Sequence, residues 1–95
     1  MRPEGMPTDL EQAPARNPNS AFRIYEGQAL IVLPERGENH LLNPIGSHIW
    51  DRLDGRRSLQ EILDSIVAEF DVPADQARAD LLEFVANLRL KGMVI

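Results

Sequence analysis

Along this chain the apolar residues recur first at every second position and then at every third or fourth. Between Ala21 and Glu26, Phe22 and Ile24 alternate with Arg23 and Tyr25, the pattern of a half-buried strand. Glu26-Gly27 forms a two-residue turn, since glycine accepts the positive φ that such hairpins need. Gln28–Leu33 is an unbroken β-branched and aliphatic run that suits a central strand, and Pro34-Glu35-Arg36-Gly37 turns the chain again. Asn39–Leu42, bounded by turn residues on both sides, is a third and shorter strand. Three strands with such short connections make an antiparallel meander. The third strand lies at its edge, with backbone donors and acceptors unpaired along one side.

The period then lengthens. Asn43-Pro44 starts a helix, with Asn as N-cap and Pro at the first helical position, where its missing N–H costs nothing. Ile45, Ile49 and Leu53 share one face with Trp50 beside them, and Asp54-Gly55 is expected to close the helix with Gly in the left-handed cap. Ser58-Leu59-Gln60-Glu61 is a capping box for a second helix, on which Leu59, Ile62, Leu63, Ile66, Val67 and Phe70 follow helical spacing. Asp71-Val72-Pro73 separates it from a third helix, predicted from Ala74 to Lys91 and ending at Gly92, after which Met93–Ile95 adds a short extended tail. Three strands followed by three helices specify an α+β domain, with the helices against one face of the sheet.

Ahead of the sheet, Met1–Asn19 holds Pro3, Pro7, Pro14 and Pro18 and shows no apolar period. It is expected to be a disordered N-terminal tail over residues 1–19, leaving a domain over residues 20–95. The absence of cysteine excludes disulfides, thiolate catalysis and cysteine-ligated metal. The longest apolar run, Ala29–Leu33, is far short of a membrane span, and the N-terminus has no signal-peptide core. A cytoplasmic location with no membrane partner is therefore expected. Ten basic residues against fifteen acidic ones give a net charge of −5, which disfavours phosphate neutralisation and hence a nucleic-acid partner.

Few residues of this chain could carry chemistry. His40 and His48 have no metal-ligand spacing around them, so no metal and no cofactor are expected. Ser47 adjoins His48, but neighbours on a helix point in different directions, and no nucleophile elbow or phosphate loop is present. No catalytic residues are assigned, and an enzyme is not expected. The third helix carries more. Ala77, Leu81, Phe84, Val85 and Leu88 form its core stripe, and Arg78, Leu82, Val85 and Arg89 make a second line at steps of three and four. One reading is a wide core stripe in a small domain. The other is that the second line borders a groove against the exposed third strand, able to accept an extended peptide by strand addition.

Three fragments of this sequence form an ordered series. Leu42–Gly55 reads L-N-P-x-G-x-x-I-W-x-x-L-D-G, Ser58–Ile62 reads S-L-x-E-I, and Asp80–Val94 reads D-L-L-x-F-V-x-x-L-x-x-x-G-x-V. The series resembles the PqqD family, also called RiPP recognition elements, over Ser20 to Ile95. The resemblance implies a winged-helix-like domain that binds the leader of a ribosomally made precursor peptide and presents it to a modifying enzyme, often a radical-SAM protein. In that family the leader adds beside the third strand, in the cleft with the third helix. By position this implies Asn39, His40, Leu41 and Leu42 on the strand, with Arg78, Leu82, Val85 and Arg89 on the helix. Asp80 matches a typical family acid, read as structural. Where the family's strand approach often carries a Gly-x-Tyr-like element, this chain has Gly37-Glu38-Asn39-His40, with His40 in place of the aromatic. The match is common to pyrroloquinoline quinone biosynthesis and other peptide pathways.

Two rivals to a non-catalytic peptide adaptor follow from the same elements. A winged-helix DNA binder would read bases with the third helix, but Arg78, Arg89 and Lys91 there are balanced by Asp75, Asp80 and Glu83. A homodimeric assembly module would use the open strand edge to pair with a second copy.

Overall fold

The computed structural model describes residues 9–33 and 37–95. Its sheet contains β1 (Ala21–Tyr25), β2 (Gln28–Leu33) and β3 (Glu38–Leu41), antiparallel in the order β1-β2-β3. Both residues of the first turn have positive φ, 51° at Glu26 and 81° at Gly27, which a two-residue hairpin needs to match the strand twist. The turn expected at Pro34-Glu35-Arg36 lies outside the described residues. Three helices follow: α1 (Pro44–Asp51), α2 (Leu59–Glu69) and α3 (Ala74–Leu90). The architecture is the expected α+β arrangement, an open three-stranded sheet followed by three helices.

The helix starts read from sequence are the ones observed. Asn43 Oδ1 accepts the Gly46 N–H at 2.7 Å. Ser58 Oγ accepts the Glu61 N–H, while the Glu61 carboxylate accepts the Ser58 N–H. The end of α1 differs: the helix stops at Asp51 with Arg52 as its cap, before Leu53 enters the core. Gly55, at φ 78°, serves the following loop, in which Asp54 Oδ1 accepts the N–H groups of Arg56 and Arg57. At the end of α3, Gly92 (φ 74°) donates to the Arg89 carbonyl and Met93 to the Leu88 carbonyl, the two bonds of a glycine-terminated helix.

Strand alternation sends Ala29 and Ile31 into the core, where they meet Ile49, Trp50 and Leu53, the α2 stripe and Ala77, Leu81, Val85 and Leu88 of α3. The opposite sheet face, with Tyr25 66% and Leu41 57% exposed, is open.

The segment before the sheet departs from expectation. Residues 1–8 of the expected tail lie outside the described residues, but residues 9–19 run against the domain, beginning with a 3-10 turn at Asp9–Glu11. Leu10 packs against the core and Pro14 is buried. Gln12 accepts the Leu59 N–H, Pro14 accepts the Gly55 N–H, and Arg16 donates to the Leu53 carbonyl. On the other side, Asn17 donates to Met93 and Ala15 accepts from Ile95. The Arg16 guanidinium binds the Trp50 and Asp51 carbonyls at 2.6 and 3.0 Å, closing the C-terminal end of α1, and sits over the rings of Phe22 and Trp50. Backbone pairing holds this segment in place, so no apolar period announces it.

Candidate functional site

Which backbone groups of β3 are free follows from one hydrogen bond. Leu42 N–H donates to the Ala29 carbonyl at 2.8 Å. Along an antiparallel pair, opposed residues alternate between exchanging hydrogen bonds and pointing their backbone groups away. Counting back from Leu42, His40 and Glu38 face β2 opposite Ile31 and Leu33, whereas Asn39 and Leu41 turn their N–H and C=O to the open edge. The same alternation sets the side chains. Glu38 and His40 lie on the helix-facing side of the sheet, their side chains joined at 3.0 Å, and Asn39 and Leu41 lie on the outer face.

The end of β3 is anchored tightly to α1. The buried Ser47 hydroxyl accepts the Ala29 N–H at 2.8 Å and donates to the Leu42 carbonyl, which also accepts from the Gln28 amide. Leu42 therefore has no backbone group to spare, and its side chain is what it offers. A Cβ on Gly46 would stand 3.4 Å from Leu42 Cβ and from Phe84 Cε1, and 3.1 Å from Asn43 Oδ1. Glycine thus lets Phe84 of α3 come close to the start of α1, where half-buried Phe84 and half-buried Leu42 flank Gly46 as an apolar floor. Phe84 shares a hollow of about 240 Å3 with Asp80, Glu83 and Asn87.

The structure does not bring all the expected site residues together. Asn39, His40, Leu41 and Leu42 are at the edge, with the division of roles just given. On α3, Val85 is only 2% exposed and belongs to the core, so it has no surface to lend a groove. Arg89 donates to Gln12 Oε1 at 2.7 Å, which turns that flank toward the N-terminal segment. At about 100° per residue, Arg78, Leu82 and Arg89 lie roughly 120–160° around the helix from Phe84. Exposed Arg78 and half-buried Leu82 line a separate hollow with Asp75 and Ala79. The flank beside β3 is the one carrying Asp80, Phe84 and Asn87, which fall within roughly 60° of one another. Phe84 was visible in the sequence as an apolar residue, but periodicity does not say which border of a stripe meets which neighbour.

Elsewhere, His48 Nε2 lies 2.8 Å from Ser65 Oγ, and that hydroxyl lies 2.6 Å from the Ile62 carbonyl. The serine proton is committed to the carbonyl, so the imidazole N–H donates to the serine oxygen; this ties α1 to α2 and does not activate a nucleophile. Burial, reinforced by the Arg52 charge, holds His48 below its ordinary pKa against smaller upward pulls from Glu69 and Asp51. Asp54 is held below its usual value chiefly by the Arg57 and Arg56 N–H groups. Among the described residues no cluster of three His, Asp or Glu side chains could hold a metal ion, and no helix is long and apolar enough to cross a membrane.

Against known proteins, residues 28–94 match the family described as coenzyme PQQ synthesis protein D (PqqD). A PqqA binding protein of Xanthomonas oryzae pv. oryzae is 36% identical over 67 residues, spanning 70% of this chain and 71% of that protein. The PqqA binding protein of Rhizobium meliloti is 30% identical over 90 residues, 86% of this chain and 92% of its own. In fold, the chain is similar to TbiB1 in complex with the TbiA(beta) leader peptide, with a TM-score of 0.74 at 24% identity over 84% of this chain and 93% of that one. It is also similar to lasso peptide synthetase B1 complexed with the leader peptide, with a TM-score of 0.75 at 20% identity over 87% and 98% of the two chains.

Proposed function

The chain belongs to the PqqD family, and from that premise we propose that it is a non-catalytic adaptor for a ribosomally made precursor peptide. It takes the leader as a fourth strand on β3 and presents it to a peptide-modifying enzyme in the cytoplasm, a radical-SAM protein being the class the family suggests. The observation that carries this reading is the open edge itself: Asn39 and Leu41 direct backbone donors and acceptors outward, next to an apolar floor of Leu42 and Phe84. Main-chain bonds supply a sequence-tolerant part of the affinity, and the floor selects alternate side chains. The helix-side contacts we assign are Phe84, Asp80 and Asn87, in place of Arg78, Leu82, Val85 and Arg89. The balanced charges of α3 and the net charge of −5 give no support to a DNA-binding role.

The test is a backbone-amide NMR titration of the full chain with the synthetic leader of the precursor peptide encoded beside its gene. Shifts concentrated at Glu38–Asn43 and around Phe84 are expected. Shifts confined to the Arg78–Leu82 flank, or none at high peptide excess, would refute the reading. A second reading, self-pairing into a homodimer, draws on the same edge. It predicts mass growing with protein concentration, and leader peptide returning the protein to monomer.

A further inference from the structure

We propose that the peptide accepted on β3 carries a basic side chain, Lys or Arg, two residues from an apolar one: the basic group meets Asp80 and Glu83, and the apolar group covers Leu42 and Phe84. This rests on the strand-addition reading above. The edge and the apolar floor make the site, and the carboxylates choose what fills its helix-side wall.

That wall is acidic and uncompensated. Among the described residues, Asp80 Oδ1 accepts only a neutral amide, from Gln76 at 2.9 Å. Neither Asp80 nor Glu83 forms an ion pair among the described residues. Of the nearby cations, Arg78 and Arg89 occupy the far flank, and Lys91, the cap after α3, shares the flank but lies eight residues beyond Glu83, about 12 Å along the axis. Across the cleft, the His40 imidazole is taken up by Glu38 at 3.0 Å. A strand laid against β3 would bring its helix-facing side chains between these walls and partly strip the carboxylates of water. A Lys or Arg there restores the lost solvation through charge-assisted hydrogen bonds, whereas an Asp or Glu adds repulsion. The step lengths are compatible: alternate strand residues advance about 6.7 Å and helix residues four apart about 6 Å, so along a strand running beside α3 a side chain over Phe84 has its same-face neighbour near Asp80.

The experiment selects from a displayed library of random ten-residue peptides on four full-length chains: wild type, Glu83→Lys, Asp64→Lys and Leu41→Pro. Circular dichroism and melting checks that each is folded. Asp64 lies on the exposed face of α2, away from the cleft, and its substitution changes net charge as much as Glu83→Lys does. Wild type and Asp64→Lys should both enrich Lys or Arg two positions from an apolar residue. Glu83→Lys should lose that preference, binding the best wild-type peptide five- to twenty-fold more weakly at low salt. Wild-type selection without a basic preference, or a preference that survives in Glu83→Lys or disappears equally in Asp64→Lys, overturns the inference and leaves strand addition standing. If the wild type enriches nothing that Leu41→Pro does not, the strand-addition reading fails and the inference falls with it.

Discussion

At the scale of single residues, Ser47 and His48 sit side by side on α1 and do different work. Ser47 is buried and gives the interior Ala29 N–H its acceptor, at the point where β2 stops pairing with the chain leaving β3. Ser47→Ala leaves that donor unpaired, a loss of about 1–3 kcal/mol. For a domain of this size that is a melting temperature lower by roughly 5–20 °C, measured by thermal denaturation. A variant melting with the wild type would mean that Ala29 finds another acceptor. His48 sets a pH dependence whose sign follows from its surroundings. Its pKa in the fold lies below the ordinary 6.5, so between those two values the unfolded chain binds more protons than the folded one. Stability should therefore fall as pH drops from above 6.5 through the folded value and then level off for this group. His48→Gln retains a donor for Ser65 and removes the titration. Urea midpoints at pH 7.5, 6.0 and 5.0 should decline more steeply for the wild type than for the variant, and parallel declines would show that other groups carry the slope.

At the scale of elements, β3 is the test piece, because neighbouring residues use their backbones in opposite directions. Leu41→Pro removes an N–H that points to the open edge and pairs with nothing in β2. An edge strand accepts such a proline. His40→Pro removes an N–H facing Ile31 and so breaks the β2–β3 ladder. The expected outcome is a Leu41→Pro chain that melts within a few degrees of wild type but binds leader at least tenfold more weakly, beside a His40→Pro chain that is destabilised outright. Unimpaired binding by folded Leu41→Pro would exclude main-chain pairing at that position. The strands, the three helices and their caps were legible because each rests on local chemistry: alternation at Phe22 and Ile24, which marks β1 as a strand although it is exposed along its whole length and not half-buried, Asn43 before Pro44, Ser58 with Glu61. The helix side of the site was not. Val85 and Phe84 are adjacent and both apolar, and only packing reveals that one fills the core while the other lies against Gly46, which Leu42 also borders. The end of α1 is not legible for a similar reason, since a left-handed glycine marks the loop after Leu53 as well as it marks a helix cap.

For the molecule as a whole, the N-terminal segment joins parts of the fold that are far apart in sequence. Through Gln12, Pro14 and Arg16 it binds the loop between α1 and α2; through Ala15 and Asn17 it binds the residues after α3. The Leu53, Leu59, Met93 and Val94 side chains beside these contacts are all buried. A chain beginning at Ser20, the boundary that the proline spacing suggests, loses those backbone bonds, the Arg16 contacts with the end of α1, and the packing of Leu10 and Pro14. Each hydrogen bond contributes about 0.5–1.5 kcal/mol net, and the total stability of a small domain is only about 5–15 kcal/mol. Deleting residues 1–19 should therefore remove several kcal/mol and lower the urea midpoint by a molar or more. The bonds run to both ends of the helical layer, so amide exchange should quicken at Leu53–Leu59 and at Met93–Ile95 together. The β2–β3 pairing, which no hydrogen bond of the segment reaches among the described residues, should keep more of its protection. A truncated chain with an unchanged midpoint would place the domain boundary where the sequence pattern put it. Loss of protection spread evenly over sheet and helices would instead mean that the segment supports one cooperative unit without a weaker end.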